Sequence, residues 1–120
     1  MFKVSVEQSF RAKHAVTVKG VDEVPHFHDW KVVALVSGPT LDEDGLLLDF
    51  LQLEASLASA VNPLHDADLN ACDVMQGKNP SAEHVAMYIA DCLKDTITSP
   101  NKLETITVTE APHCKAIFHP

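Results

Sequence analysis

The chain has 120 residues, 46% of them hydrophobic, and its 17 acidic and 9 basic side chains give a formal net charge of −8. This size and composition predict a single soluble globular domain over residues 1–120, without the basic surface that binding of nucleic acid requires. No apolar run approaches the ~18 residues of a membrane span. The three cysteines form no CxxC pair, which suits a reducing cytoplasm.

Two paired β-strands are predicted in the first third of the chain. Apolar side chains recur at every second position from the N-terminus, and the same parity reaches His14. A second alternating segment begins with His26 and His28. Because residues two apart on a strand point to the same face, all three histidines are expected at one end of an apolar face. Residues 15–25 would form a long connection, and such loops are often functional.

Two amphipathic helices are predicted in the middle of the chain, separated by a polar, irregular stretch. Asp49 is expected to cap the first helix, with Gln52 at the reciprocal capping-box position. The second helix is expected to start around Asn79-Pro80-Ser81, with Pro80 in its first turn. The apolar stripes comprise Phe50, Leu53, Leu57 and Val61 in the first helix and Val85, Ala86, Ile89 and Leu93 in the second.

Two further strands are predicted near the C-terminus. One runs from Leu103 to Glu110, and the other has Cys114, Ala116 and Phe118 on its apolar side. The resulting order ββααββ predicts an α+β fold, a four-stranded antiparallel sheet with two helices on one face. Such a sheet leaves its edges bare, and exposed edges are a liability unless they are covered or paired. Oligomerisation edge to edge is one solution.

His14, His26 and His28 form a candidate metal site. Three protein nitrogens with one open position are the pattern of a catalytic zinc ion rather than a structural one. The alternative is that the three are solvated loop histidines, and their spacing alone leaves both interpretations open.

Six short motifs follow one another between Phe10 and Glu110, and the resemblance that they carry extends over residues 2–118. They are Phe10-x-Ala12-x-His14, His26-x-His28, Gly45-x-x-x-Asp49-Phe50, Leu69-Asn70, Asn79-Pro80-x-x-Glu83 and Val108-x-Glu110. The ordered set resembles the 6-pyruvoyl-tetrahydropterin synthase / 6-carboxytetrahydropterin synthase family. This resemblance implies the tunnelling fold, in which subunits join their sheets into a barrel, usually as trimers stacked into hexamers with active sites between subunits.

The resemblance also implies a role for individual residues. Zn²⁺ would be held by the three histidines, Glu110 would anchor a pterin ring, and Ser81, Ala82 and Glu83 would border that ring. The usual substrate is 7,8-dihydroneopterin triphosphate, whose side-chain hydroxyls zinc would polarise while a base moves protons beside them. Without the resemblance, Glu110 would be a solvated carboxylate at a strand end, and Glu83 would only complement the helix macrodipole.

The chain departs from the family pattern at the acid–base groups. The family's usual base is a cysteine shortly before the His-x-His pair, but here that stretch holds Asp22 and Glu23. Either carboxylate could take a proton, with Glu23 favoured for its longer reach, or both could be solvated loop acids. The family's Asp-His order is also exchanged, so that His65 precedes Asp66 and could act as a proton donor beside it.

These features predict a zinc-dependent pterin lyase in the cytoplasm, namely 6-carboxy-5,6,7,8-tetrahydropterin synthase on the route to queuosine. Three alternatives stay open: triphosphate elimination to 6-pyruvoyl-tetrahydropterin, side-chain cleavage to 6-hydroxymethyl-dihydropterin, and a non-catalytic relative that binds pterin or metal. The expected assembly is a homo-oligomer, a trimer or hexamer, without nucleic-acid or membrane partners.

Overall fold

The chain forms six strands and two α-helices in the computed structural model, which describes residues 1–75 and 77–120. In chain order they are β1 (Phe2–His14), β2 (Thr17–Val18), β3 (Val21–Asp22), β4 (His26–Gly38), α1 (Phe50–Val61), α2 (Ala82–Leu93), β5 (Lys102–Ala111) and β6 (Cys114–Phe118). Two short 3₁₀ turns lie between the helices, at Asn62–Leu64 and Asp73–Met75. The long strands form an antiparallel sheet in the order β1-β4-β5-β6, which confirms the predicted α+β architecture.

Strands β1 and β4 pair along their whole length because their apolar and polar side chains alternate in matching register. In both strands the alternate side chains that are mostly apolar point towards the helices, and most of them are buried. This register sets His14 directly opposite His26, and Ala12 opposite His28. The buried side chains of this face are Val6, Phe10 and Ala12 from β1, and Trp30, Val32, Ala34 and Val36 from β4.

The connection between β1 and β4 contains the small hairpin β2–β3, which the sequence pattern did not predict. Its turn residues Lys19 and Gly20 have φ angles of 50° and 79°. Positive φ at both central residues is the mark of a type I′ turn, which suits the twist of a hairpin. Glycine adopts this conformation without steric cost, so Gly20 fixes where the connection reverses.

Both helices pack on one face of the sheet, α1 against β1 and α2 against β5 and β6. Asp49 caps α1 as predicted, and its carboxylate accepts a hydrogen bond from the Leu51 amide. The reciprocal bond expected from Gln52 is missing among the described residues. Ser81 caps α2, so Pro80 precedes the helix instead of lying in its first turn. The predicted stripes are buried except at Phe50, which is 47% exposed, and Ala60 is buried on the inner face of α1.

Strand β5 departs from simple alternation, since Leu103 and Ile106 are both buried although their parities differ. The register against β4 shifts by one residue at Glu104, and this β-bulge returns both side chains to the core. Cys114 shares its side of β6 with Ala116 and Phe118, as predicted, but its side chain is exposed and adds nothing to the core. An edge strand packs on one side only, and here just Ala116 and Phe118 are partly buried.

The sheet has two edge strands, β1 and β6, and one face without helices. The end of the β1 edge is covered, because the backbones of Arg11 and Lys13 hydrogen-bond to residues 66–69. Side chains on that outer face include the ion pair of Glu7 with Lys31 and the 55% exposed Ile117. Within the described residues, no helix is long and apolar enough to cross a membrane.

Candidate metal centre

The three histidines converge at one end of the buried sheet face, where β1 ends and β4 begins. One potential ligand atom from each lies within 4.8 Å of those of the other two. The ring centroids are 4.8 Å apart for His14 and His26, 4.4 Å for His26 and His28, and 5.3 Å for His14 and His28. The strand pairing produces this arrangement, because it sets the three residues on the same face of adjacent strands.

Backbone carbonyls fix the tautomers of two of these imidazoles. Nδ1 of His14 lies 2.7 Å from the carbonyl oxygen of Pro80, and Nδ1 of His26 lies 2.8 Å from that of Val24. A carbonyl can only accept, so each Nδ1 must carry the proton and donate. The lone pair of each neutral ring is then on Nε2, which is the arrangement that second-shell partners impose on metal-binding histidines.

Trp30 packs against the imidazoles of His14 and His28 on their buried side. It is fully buried, and its indole N–H donates to the carbonyl oxygen of Ala12 at 3.2 Å. Its ring meets His14 edge to face at 4.8 Å and His28 at 6.0 Å. This packing restricts rotation of both imidazoles. The sequence shows only that Trp30 lies on the same face of its strand as His28. That pattern does not indicate that Trp30 packs against the imidazoles.

The buried Nε2 atom of His14 has no hydrogen-bond partner among the described residues. The nearest charged atom is Oε1 of Glu110, at 2.7 Å. When His14 is neutral and Glu110 is ionised, both atoms carry lone pairs, so the contact cannot be a hydrogen bond without an added cation. Imidazole nitrogens with a nearby carboxylate are a donor set that suits zinc. The residues present therefore fit a divalent metal ion.

The electrostatic surroundings favour the neutral form of His28. Burial is the main cause that lowers its pKa below the ordinary value, and the neighbouring His26 and His14 act in the same direction. The carboxylates of Glu110 and Glu23 oppose this effect without reversing it. A neutral imidazole is the form that binds a metal ion. The surroundings of His28 therefore favour the protonation state that can act as a ligand.

Both carboxylates predicted as bases lie on the hairpin side of the cluster. Oε1 of Glu23 accepts from the amide of Val16 at 2.9 Å, and Oδ1 of Asp22 accepts from the hydroxyl of Thr17 at 2.5 Å. Both residues border an open cleft of about 460 Å³. The charge of Glu23 acts to raise the pKa of His28 against the larger effect of burial.

Two asparagines attach the first connection to the body of the domain. The side-chain amide of Asn70 accepts from the amide of Ala15 and donates to its carbonyl, both at 2.8 Å. Asn79 does the same with Thr17, at 2.8 Å and 3.0 Å. Each asparagine thus supplies the pair of backbone hydrogen bonds that a neighbouring strand would make, Asn70 at Ala15 and Asn79 at Thr17. Together they hold the loop that carries Glu23.

His65 and Asp66 stay together, with Nε2 and Oδ2 3.3 Å apart, and both side chains are exposed. Asp66 has a positive φ of 57°, in the left-handed region that aspartate tolerates. Among the described residues, neither makes a hydrogen bond or ion pair with the three histidines or with Glu110. The structure therefore does not bring this pair to the cluster within one chain.

Glu110, Ala82 and Glu83 border a common cleft of about 450 Å³ beside the histidines, together with Cys114. Ser81 is occupied as the cap of α2, its hydroxyl accepting from the amide of His84 at 3.1 Å. A slightly larger cavity, about 500 Å³, lies between α2 and β6 and contains none of the predicted site residues. Titratable side chains converge on the smaller cleft, which makes it the candidate binding site.

The only arginine of the chain is directed away from this cleft. The guanidinium of Arg11 lies 3.7 Å from the ring centroid of Phe27, whose side chain is on the outer face of the sheet. This cation–π contact occupies the arginine on the side opposite to the histidines.

Solved structures with the same fold include 6-pyruvoyl tetrahydropterin synthases. That of Caenorhabditis elegans has 18% identity and a TM-score of 0.82, covering 100% of this chain and 97% of that chain. That of Plasmodium vivax has 22% identity and a TM-score of 0.79, with 99% and 97% covered. A variant of the Plasmodium vivax protein, at 21% identity, TM-score 0.79 and 99% and 97% covered, has alanine in place of a glutamate described as a catalytic residue.

A sequence model of the family described as 6-pyruvoyl tetrahydropterin synthase matches residues 3–120. The chain therefore belongs to this family, whose members are pterin lyases. No curated protein sequence matches the chain significantly.

Proposed function

We propose that this chain is a zinc-dependent lyase that acts on 7,8-dihydroneopterin triphosphate and forms 6-carboxy-5,6,7,8-tetrahydropterin. The observation that carries the proposal is the convergence of His14, His26 and His28 in a chain of the pterin synthase family. These three residues would hold zinc through nitrogen, with Nε2 as the available atom of His14 and His26. When bound, the ion would polarise the hydroxyls of the substrate side chain.

Glu23 is the proposed base. It is held against the backbone of Val16 and influences the charge state of His28, so its carboxylate is both positioned and near the reaction centre. A glutamate is also the residue described as catalytic in the Plasmodium vivax relative, which supports a carboxylate in this role. Asp22 is the second candidate, since it lies in the same cleft.

Glu110 is the proposed anchor of the pterin ring, and Ala82, Glu83 and the Ser81 segment would border it. An ionised carboxylate can accept two parallel N–H bonds from a pyrimidine-like edge, and charge-assisted pairs of this kind are strong. The position of Glu110 in the cleft with Ala82 and Glu83 supports this role.

The active protein is proposed to be a cytoplasmic homo-oligomer, a trimer or hexamer joined through the sheet edges. Its support is the β6 edge, the part of the β1 edge that residues 66–69 do not cover, and the uncovered sheet face. The exposed pair of His65 and Asp66 makes no contact with its own histidine cluster, so we propose that it donates a proton at the active site of a neighbouring subunit.

Side-chain cleavage to 6-hydroxymethyl-dihydropterin is the second candidate reaction. The absence of a cysteine before the His-x-His pair, with Glu23 in that segment, is the observation that favours it. A carboxylate differs from a thiolate in pKa and reach, and a different base can select a different proton of the substrate.

The decisive experiment incubates zinc-loaded protein with 7,8-dihydroneopterin triphosphate and identifies the product by mass spectrometry. A 6-carboxy product supports the first reaction, whereas a 6-hydroxymethyl or 6-pyruvoyl product would replace it. The variant His28→Ala, with its zinc content measured, is the control for contaminating activity. Absence of turnover at full zinc occupancy would contradict catalysis and leave a relative that only binds pterin or metal.

A further inference from the structure

Glu110 contacts both the histidine cluster and the open cleft. Its Oε1 atom lies 2.7 Å from Nε2 of His14 and 4.0 Å from Nε2 of His28. The side chain is 28% exposed and borders the cleft shared with Glu83. One carboxylate is thus within reach of two different environments, the nitrogens of the buried histidines and a ligand in the cleft.

The separations match those of ligands that share one ion. Two atoms that each lie about 2.0–2.2 Å from a tetrahedral zinc ion are about 3.4 Å from each other. The two measured separations lie on either side of this value, so small side-chain rotations bring the oxygen and both nitrogens to ligand distances. When His14 is neutral with its proton on Nδ1 and Glu110 is ionised, the lone pairs of Oε1 and of the His14 Nε2 face each other at 2.7 Å unless a cation lies between them.

The backbone around Glu110 allows this carboxylate to change direction. The β4–β5 pairing ends at Thr109, and the β5–β6 register shifts between Thr109 and Ala111. Glu110 is therefore the extra residue of a β-bulge, without a cross-strand partner in either ladder. Bulges near active sites re-aim side chains, and this one leaves Glu110 free to face either the histidines or the cleft.

We propose that Glu110 is a fourth ligand of the metal in the pterin-free protein and leaves the metal when a pterin ring binds in the cleft. The inference rests on the metal site proposed above and adds a second role to the residue proposed as the ring anchor. The carboxylate would keep the fourth position closed to small anions until pterin provides N–H donors for it. Metal coordination and pterin binding would then compete for one side chain.

Zinc affinity gives the first test, by competition with a chromophoric chelator in the absence of pterin. The variant Glu110→Gln is expected to bind zinc at least about tenfold more weakly, because losing even a second-shell partner costs about 10- to 100-fold. Glu83→Gln removes the same charge from the same cleft and should stay within about twofold of wild type. Equal losses in both variants would show that net charge, and not ligation, is responsible, which would overturn the inference.

Cobalt-substituted protein gives the second test through its visible ligand-field bands. Azide should change these bands at a lower concentration in Glu110→Gln than in wild type, because the fourth position is then open. Added unsubstituted pterin, which lacks the side-chain hydroxyls proposed to reach the metal, should change the bands of wild type and make it as sensitive to azide as the variant. Identical azide titrations of wild type and variant, without pterin, would overturn the inference.

The outcomes separate this inference from the proposed function. If wild type binds neither zinc nor cobalt, both proposals fail. If wild type binds one ion per chain but Glu110→Gln matches it in both tests, only the ligand role of Glu110 fails. Equal thermal unfolding of wild type and the two glutamine variants is the check that each variant is folded.

Discussion

The carbonyl oxygen of Pro80 lies 2.7 Å from Nδ1 of His14, so the residue before the second helix orients an imidazole at the end of the first strand. The residues on either side of Pro80 make equally specific contacts. Asn79 holds the backbone of Thr17, and Ser81 caps α2. Three consecutive residues therefore connect the candidate metal centre, the loop that carries Glu23 and the start of the helix.

Metal content is the first prediction. We expect one zinc ion per chain, with Zn–N distances of about 2.0–2.1 Å by X-ray absorption. The variant His28→Ala should lose most of this zinc, as measured by elemental analysis after dialysis, while His119→Ala, which changes an exposed histidine outside the cluster, should retain it. His28 is the preferred target because it is 25% exposed, whereas His14 is fully buried and its loss would also disturb packing. Equal zinc retention in both variants would contradict the site.

The identity of the base is the second prediction. Glu23→Gln should lower turnover of 7,8-dihydroneopterin triphosphate by about 10²-fold or more, the usual contribution of general acid–base catalysis. Asp22→Asn should have a smaller effect, since the aspartate side chain is one methylene shorter and reaches less far. Zinc content is measured in each variant to exclude loss of the metal. If the wild type is active and both variants convert the substrate equally fast, the proposal of a carboxylate base is wrong. His65 then becomes the candidate base.

Activity should also be independent of cysteine. Cys72, Cys92 and Cys114 are free thiols, and none lies in the segment before the His-x-His pair. Turnover should therefore survive replacement of all three by serine. Substitution is a better test than alkylation, because Cys114 borders the same cleft as Glu110 and an added group would fill space there. If turnover is lost when only Cys114 is replaced by serine, the thiol of Cys114 takes part in the reaction and the prediction is wrong.

Pterin affinity is the fourth prediction. Glu110→Gln replaces one acceptor oxygen by a donor, so neopterin binding should weaken at least tenfold, which corresponds to about 1.4 kcal/mol. The calorimetric titration uses saturating zinc, so that a change in metal affinity does not contribute to the result. Unchanged affinity would remove Glu110 from the role of anchor.

Acid pH should remove one specific stabilising contact far from the cleft. The hydroxyl of Ser37 donates to Oε1 of Glu104 at 2.7 Å, and this hydrogen bond is the main cause that lowers the pKa of Glu104, followed by the nearby Lys102 and Lys3. Because the folded-state pKa is lowered, the contribution is complete above the unfolded-state pKa of about 4.3 and disappears as the pH falls through the folded-state value.

The measurement for this contact compares denaturant unfolding of wild type and Ser37→Ala at pH 7 and at pH 3. The variant should be less stable at pH 7, and the difference should narrow at pH 3. In a Glu104→Gln background, the effect of Ser37→Ala should no longer depend on pH. A difference of equal size at both pH values would show that the serine acts through packing alone.

Sequence alone predicted the features that depend on periodicity. Alternation placed His14, His26 and His28 on one face. The four residues of the predicted α2 stripe are all buried, and the buried face also contains Ala82 and Ala90. The carbonyl groups of Pro80 and Val24 that orient the imidazoles could not be predicted, because every residue has a carbonyl and only the fold selects two of them.

Irregularities of the strands also escaped prediction. The bulges at Glu104 and Glu110 interrupt a pattern that reads as continuous alternation in the sequence. Alternation also cannot tell an edge strand from a central one, which is why Cys114 is exposed against expectation. The Lys19-Gly20 turn was visible as a glycine between short β-branched segments, but two-residue strands are too brief for a periodicity argument.

The asparagine contacts of the first connection have a consequence for the chemical ageing of the protein. Deamidation turns a side-chain amide into a carboxylate, which would face a backbone carbonyl where the Nδ2 group of Asn70 or Asn79 now donates. Its usual route begins with attack by the backbone nitrogen of the following residue. Proline has no N–H, so Asn79, which precedes Pro80, is resistant to that attack, whereas Asn70 precedes alanine. A stored sample should therefore lose the attachment at Ala15 first and keep the one at Thr17.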